Sequence, residues 1–179
     1  MEDQSRLKSL LEIEENLKWT KGGTQAVLKS EGTQKIIGLV ANFITVPKLY
    51  ENIVEKILQN QLQGIIVESP QDAKELCEKL HAQNKGTARF FLNNNKTQIS
   101  DNENLTSFGK NLCTLVSIHK EAETALKPML NNIVLCENYE QAIQNWESCK
   151  NNSVTIATND GYILTVDGSI IGGNFNSSG

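Results

Sequence analysis

The chain has 179 residues, a formal net charge of −4, 39% apolar residues and 21% charged residues. That composition is ordinary for a soluble globular protein of one domain, or two small lobes, with a real core. It excludes a membrane-spanning helix, for want of about 18 consecutive apolar residues, and it lacks the basic balance of a dedicated duplex-DNA reader.

The first ten residues, MEDQSRLKSL, do not run from basic to apolar as a signal peptide does, so a cytosolic protein is the default expectation. In EDQSRLKSLLEIEENLKW, Leu10, Ile13 and Leu17 recur at spacings of three and four, and Leu7 and Leu11 widen the stripe. The pattern predicts a helix. It fits a helix lying on its own domain and, equally, the end of a projecting coiled coil. Gly22-Gly23 is expected to break it.

A repeat follows. GLVANFITV (38–46) reads as a strand, and PKLYENIVEKILQ as a helix with Pro47 at a first helical position. Leu49, Ile53 and Ile57, beside Tyr50, Val54 and Leu58, form its apolar face. GIIVE (64–68) is a short buried strand. SPQDAKELCEKL is a second helix, with Ser69 as N-cap, Pro70 at the first position and Ala73, Leu76, Cys77 and Leu80 inward. TARFFL (87–92) is a further strand.

The same order returns as NLCTLVSI (111–118), the helix HKEAETALKPMLN, the strand NIVLC (132–136), the helix ENYEQAIQNWESC and the strand SVTIAT (153–158). In the last helix Tyr139, Ala142, Ile143 and Trp146 share a face, and Pro128 should kink or end the helix before it. Ile44-Thr45-Val46 matches Val116-Ser117-Ile118, and IIVE matches VLCE. The predicted fold class is therefore α/β (α+β): two small lobes from an internal repeat, 21–92 and 109–179, joined by a polar linker, 93–108, and preceded by a helix in 1–20.

No catalytic constellation emerges. There is no G-x-x-x-x-G-K-[ST] phosphate loop, no G-x-G-x-x-G turn and no G-x-S-x-G elbow. Cys77, Cys113, Cys136 and Cys149 form no C-x-x-C pair, and only His81 and His119 could join them. Neither a zinc cluster nor a disulfide framework is indicated, and the thiols are expected to be reduced and buried or half-buried.

The chain closes on DGYILTVDGSIIGGNFNSSG. Asn159-Asp160-Gly161 and Asp167-Gly168 are turn signals between short strands. Gly172-Gly173 fall where a strand should continue, which suggests a bulge or the close approach of another backbone.

Gly161, Gly168, Gly172 and Gly173 stand at the spacing G-x6-G-x3-G-G. This resembles the glycine signature of the hinge domain of SMC (structural maintenance of chromosomes) proteins, ATPases that organise chromosomes. A second Gly-Gly of that signature is replaced by Ser177-Ser178, and Ile171 stands where a Thr is common. GLVANFITV…Y…VEKIL…LQGIIVE is similar to the family's first lobe, and Gly86-Thr-Ala-Arg-Phe-Phe-Leu92 to its GRATFL stretch. LNNIVLCENYEQA is similar to its second lobe, with Asn131 in place of a Gly and Gln59-Asn60 in place of a Gly-rich turn in the first. The matches span roughly residues 17 to 176.

The resemblance implies a two-lobed module that dimerises as a ring, by sheet pairing across two contacts, and joins two coiled-coil arms. Residues 1–20 become the end of one arm. Gly161, Gly168, Gly172 and Gly173 become interface residues, with Gly172 and Gly173 expected to serve the dimer more than the fold. The partner is a second copy, as in bacterial members, or a paralogous SMC hinge. The module is not itself an enzyme; ATP and Mg belong to head domains outside this stretch. Weak DNA contact near the coiled-coil junction falls to Lys18, Lys21, Lys29 and Lys35, and the location to the cytoplasm, at the nucleoid. The stretch reads as one domain of a much longer protein. From another class, the alternative is a small α/β ligand-binding or enzymatic domain with an incidental glycine tail.

Overall fold

A computed structural model of the chain describes residues 20, 22–29, 36–94 and 109–173. The helix expected in residues 1–20 and most of the 93–108 linker lie outside the described residues. In chain order the first half holds α1 (Gly22–Lys29), β1 (Ile36–Leu39), β2 (Ile44–Thr45), α2 (Glu51–Leu58), β3 (Ile65–Val67), α3 (Pro70–Gln83) and β4 (Phe90–Leu92). The second half holds β5 (Lys110–Asn111), α4 (Leu112–Leu115), β6 (Ser117–Ile118), α5 (Glu123–Asn131), β7 (Ile133–Cys136), α6 (Tyr139–Asn151), β8 (Thr155–Thr158), β9 (Ile163–Leu164) and β10 (Ile170–Ile171).

The repeat is realised in the topology. In the first sheet, ordered β1-β3-β4, β3 pairs antiparallel with β1 and parallel with β4. In the second, ordered β10-β9-β8-β7-β5, β7 pairs antiparallel with β5 and parallel with β8. The halves are joined by β2 and β6, which pair antiparallel with Ile44 opposite Ile118 and Thr45 opposite Ser117. These are the segments whose sequences match. A local two-fold axis therefore passes through the Thr45–Ser117 pair.

Alternation along β3 and β7 sends side chains to two faces. Ile65 and Val67 meet Leu76 and Leu80 of α3 and Val27 and Leu28 of α1. Val134 and Cys136 meet Ala142 and Cys149 of α6. The opposite faces are covered by the other half of the chain. Ile66 packs with Ala122, Ala125 and Leu126, at the start of α5. Ile133 packs with Val54 and Leu58 of α2 and with Leu112, Val116 and Leu130. Both central strands are thus buried on both faces and read as continuous apolar runs. Full burial of each such side chain contributes about 1.5–3 kcal/mol.

The helix starts follow the same logic twice. The Ser69 hydroxyl accepts the Asp72 amide N–H at 3.3 Å, and Pro70 opens α3. The Asn138 side chain accepts the Gln141 N–H at 2.9 Å, while Gln141 Oε1 accepts the Glu137 N–H at 3.2 Å. Each cap is worth about 1 kcal/mol.

Several expectations are corrected. The strand expected over 38–46 is two strands split by a 3-10 turn at Val40–Phe43, which buries Val40. The strand expected over 111–118 is split by α4, whose first amides are capped by Asn111. A continuous strand could not both pair with its own sheet and reach the other half. Gly22-Gly23, expected to break a helix, opens α1, where a Cβ on Gly23 would collide with the Thr87 carbonyl. Leu49 is 83% exposed, because the chain from Lys48 to Tyr50 is 3-10 and turns it off the α2 face. Cys77 is exposed and Ile143 is 40% exposed; both sit on the flanks of their helices, where Leu76 and Ala142 take the inward position. The helix carrying Pro128 ends close to it, at Asn131, as expected.

Candidate dimer interface

The four glycines of the closing segment all lie on one ribbon, β8-β9-β10. β9 pairs antiparallel with β8, Ile156 opposite Leu164 and Ala157 opposite Ile163, and with β10, Ile170 opposite Leu164 and Ile171 opposite Ile163. Gly161 sits in the first turn with φ +99°, its N–H donating to the Thr158 carbonyl at 3.1 Å. Gly168 sits in the second with φ +88°. Both conformations are ones that L side chains rarely adopt, so the turn chemistry alone accounts for these two.

The second turn is closed by side chains. The Asp167 carboxylate accepts from the Ser169 hydroxyl at 2.7 Å and the Ser169 N–H at 3.0 Å, and from the Thr165 hydroxyl. Those hydrogen bonds hold the Asp167 carboxyl below the usual carboxylate range.

Helix α6 fastens the ribbon at two places. The Tyr139 and Tyr162 rings lie 4.8 Å apart, tilted by 55°. Two turns along, the Trp146 indole N–H donates to the Thr165 carbonyl at 3.0 Å, and the Lys150 ammonium lies 4.7 Å from the Trp146 ring centroid. No sequence pattern pointed to the Trp146–Thr165 bond; only the spacing of Tyr139 and Trp146 on one face hinted at it.

What the ribbon presents is an open edge. Among the described residues nothing pairs with the outer side of β10. Ile170 and Ile171 are 43% and 39% exposed, and Val166 and Tyr162 are exposed beside them. Gly172 and Gly173 follow at once. Continuing the β9–β10 register places Gly172 beside Tyr162, and a Cβ there would lie 2.9 Å from the ring. Gly172 therefore has a reason within its own chain to lack a side chain. Gly173 has φ +105° and open space around it. A groove of about 250 Å³ separates α2 from the ribbon, lined by Lys56 and Ile57 on one wall and Thr155, Ile163 and Ile171 on the other.

Of the four lysines, Lys29 is exposed at the C-terminal end of α1, where a cation suits the helix dipole. Lys18, Lys21 and Lys35 lie outside the described residues.

The profile of the family described as SMC proteins Flexible Hinge Domain matches residues 33–146. The chain is 29% identical, over 99% of its length, to the chromosome partition protein Smc of Halothermothrix orenii, and 27% identical, over 95%, to that of Myxococcus xanthus. It spans about 15% of the length of each of these relatives. Among solved structures it is similar to the SMC hinge domain of Geobacillus stearothermophilus, crystallised as an asymmetric dimer, with a TM-score of 0.75, 22% identity and coverage of 97% of this chain and 74% of that one. The hinge domain of Pyrococcus furiosus SMC gives a TM-score of 0.72 at 22% identity, with 95% and 90% covered. The profile match covers more than half of the chain, and the chain belongs to that family: it is an SMC flexible hinge domain.

Proposed function

We propose that this chain is the dimerisation hinge of an SMC-type chromosome condensation and segregation ATPase, joining two coiled-coil arms through a homodimer. The observation that carries the reading is the open β10 edge, with Ile170 and Ile171 exposed and Gly172-Gly173 next to them. An unpaired edge strand adds readily to a second chain. β4 is the corresponding open edge of the first sheet among the described residues. A two-fold dimer that sets β10 against β4 of the other copy makes this contact twice and closes a ring, whereas β10 against β10 makes it once.

The hinge itself carries out no chemistry in this reading. ATP and Mg are handled by head domains elsewhere in the parent protein, which works on the chromosome in the cytoplasm. DNA contact is weak and sequence-independent, through lysines near the junction with the arms. Among the described residues no helix is long and apolar enough to cross a membrane.

Light scattering and sedimentation over a concentration series test the reading. The chain is expected to be a dimer, and the pair Ile170→Lys with Ile171→Lys to be a folded monomer, since surface changes cost within about 0.5 kcal/mol of fold stability. A strictly monomeric mass that dimerises only on adding a different SMC hinge marks half of a heterodimer. A monomer under all conditions overturns the reading.

A further inference from the structure

β10 is the outermost strand of the second sheet and its least supported one. It consists of Ile170 and Ile171, and β9 is the one strand it pairs with among the described residues. Both side chains are exposed, and Ile171 borders the groove towards α2. So short a strand with a single neighbour is not held in place by pairing alone.

The further support comes from α6. Tyr139 and Trp146 lie two helical turns apart on one face of that helix, a span of about 10.5 Å. Their partners on the ribbon, Tyr162 and Thr165, flank β9 three residues apart, a span of about 10 Å for extended chain. The two spans match, so both partners are met at once. At one end the Tyr139 ring tilts against the Tyr162 ring, with 4.8 Å between centroids, and the Tyr139 N–H donates to Asp160 Oδ2 at 3.3 Å. Tyr162 is in turn the ring against which Gly172 lies, at the far end of β10. At the other end the Trp146 indole N–H donates to the Thr165 carbonyl at 3.0 Å. That carbonyl also accepts the Gly168 N–H at 3.3 Å, and the Thr165 N–H donates to the Ser169 carbonyl at 2.9 Å. Thr165 is thus the hub of the turn that leads into β10. The Lys150 ammonium, 4.7 Å from the Trp146 ring centroid and 3.0 Å from Glu147 Oε2, covers the indole.

We propose that Trp146 and Tyr139 are positioning residues for dimerisation: acting through Thr165 and Tyr162, they hold β10 in the arrangement to which a strand of the second copy adds. The inference rests on the dimer reading above. Preorganisation is the physical reason. An edge that is competent only part of the time binds with an affinity reduced by that fraction, and the anchors remove in advance the cost of ordering it. A two-fold dimer carries the ribbon twice, so the loss of an anchor is felt at both contacts.

Sedimentation of Trp146→Phe, with melting followed by circular dichroism, tests the proposal. The substitution keeps a ring on α6 and deletes the indole N–H. Well below the melting transition, where the variant is folded, the dimer dissociation constant should rise about tenfold. Tyr139→Leu should act in the same direction. Placed in the monomeric Ile170→Lys, Ile171→Lys pair, Trp146→Phe should raise hydrogen exchange at the Thr165 and Ser169 amides and leave the β7 amides as they were. Ser69→Ala, which removes the α3 cap in the first half of the chain, is the control: it should lower the melting temperature and leave the dissociation constant unchanged. An unchanged dissociation constant in Trp146→Phe overturns the proposal and leaves the dimer reading intact. So does a rise that Ser69→Ala reproduces at an equal loss of melting temperature, which would make Trp146 a general stabiliser. A parent chain that never dimerises overturns the dimer reading, and the proposal with it.

Discussion

Gly172 is held against the ring of Tyr162: a Cβ on Gly172 would stand 2.9 Å from one ring carbon and 3.1 Å from another. Gly172→Ala should therefore destabilise the isolated chain, by about 1 kcal/mol, the low end of the cost of overpacking, since both residues are exposed. With Tyr162→Ala in the background the penalty should fall sharply. A double-mutant cycle by urea unfolding measures the coupling, expected at about 0.5–3 kcal/mol. Additive effects would show that the ring moves aside freely, leaving only an intermolecular reason for the glycine.

The turn at Asp167 should be sensitive to acid. Its carboxyl is held below the ordinary range by the Ser169 and Thr165 hydroxyls. A group whose folded pKa is depressed adds stability above its unfolded value, about 4, and loses it as pH falls through the folded value. Protection of the β9–β10 amides should therefore decline on acidification, and Asp167→Asn should flatten that decline. An unchanged pH profile in Asp167→Asn would assign the loss to other carboxylates.

Thiol reactivity should rank the four cysteines. Cys77 is exposed and Cys113 half-buried. Burial raises the Cys113 and Cys149 thiols and pushes that of Cys136 up to about 11. Because the thiolate is the nucleophile, alkylation followed by mass spectrometry should show Cys77 modified first, Cys113 more slowly, and Cys136 and Cys149 only as the chain opens. Early modification of Cys136 would contradict the packing of β7 on α6.

If DNA is bound, phosphate contacts should dominate on a chain of net charge −4. Log affinity should then fall with log salt by about 0.7–0.9 per contact. Reversing the charge at Lys18, Lys21, Lys29 and Lys35 together should abolish what binding there is; binding left unchanged would refute the assignment.

The central strands were legible because burial on both faces leaves a plain signature, as in Ile65-Ile66-Val67 and Ile133 to Cys136. The cap at Ser69 and the turns at Gly161 and Gly168 are local chemistry and were readable, whereas the helix expected from Glu137 begins at Tyr139, behind the Asn138 cap. The breaks inside 38–46 and 111–118 were not legible: the 3-10 turn after Leu39 answers to the distant requirement that Ile44 meet Ile118. Nor was the outward aim of Ile143 and Cys77, since periodicity places a stripe but not its margins. Asn93, whose Oδ1 accepts the Ala125 N–H at 3.2 Å, carried no signal at all, because it serves a helix that begins thirty residues later. Of the candidate interface, the sequence showed the glycines, while the exposed Ile170 and Ile171 edge required the sheet order.

The crossing of helices between the sheets bears on whether either half could stand alone. Half of this chain, cut in the polar stretch after Asn93, would own a sheet with one bare face, a short strand lacking its mate and an apolar helix with nothing beneath it. A second identical half, turned about the axis through Thr45 and Ser117, would satisfy all three at once. Neither half is closed without the other, so a fragment cut there should not fold alone.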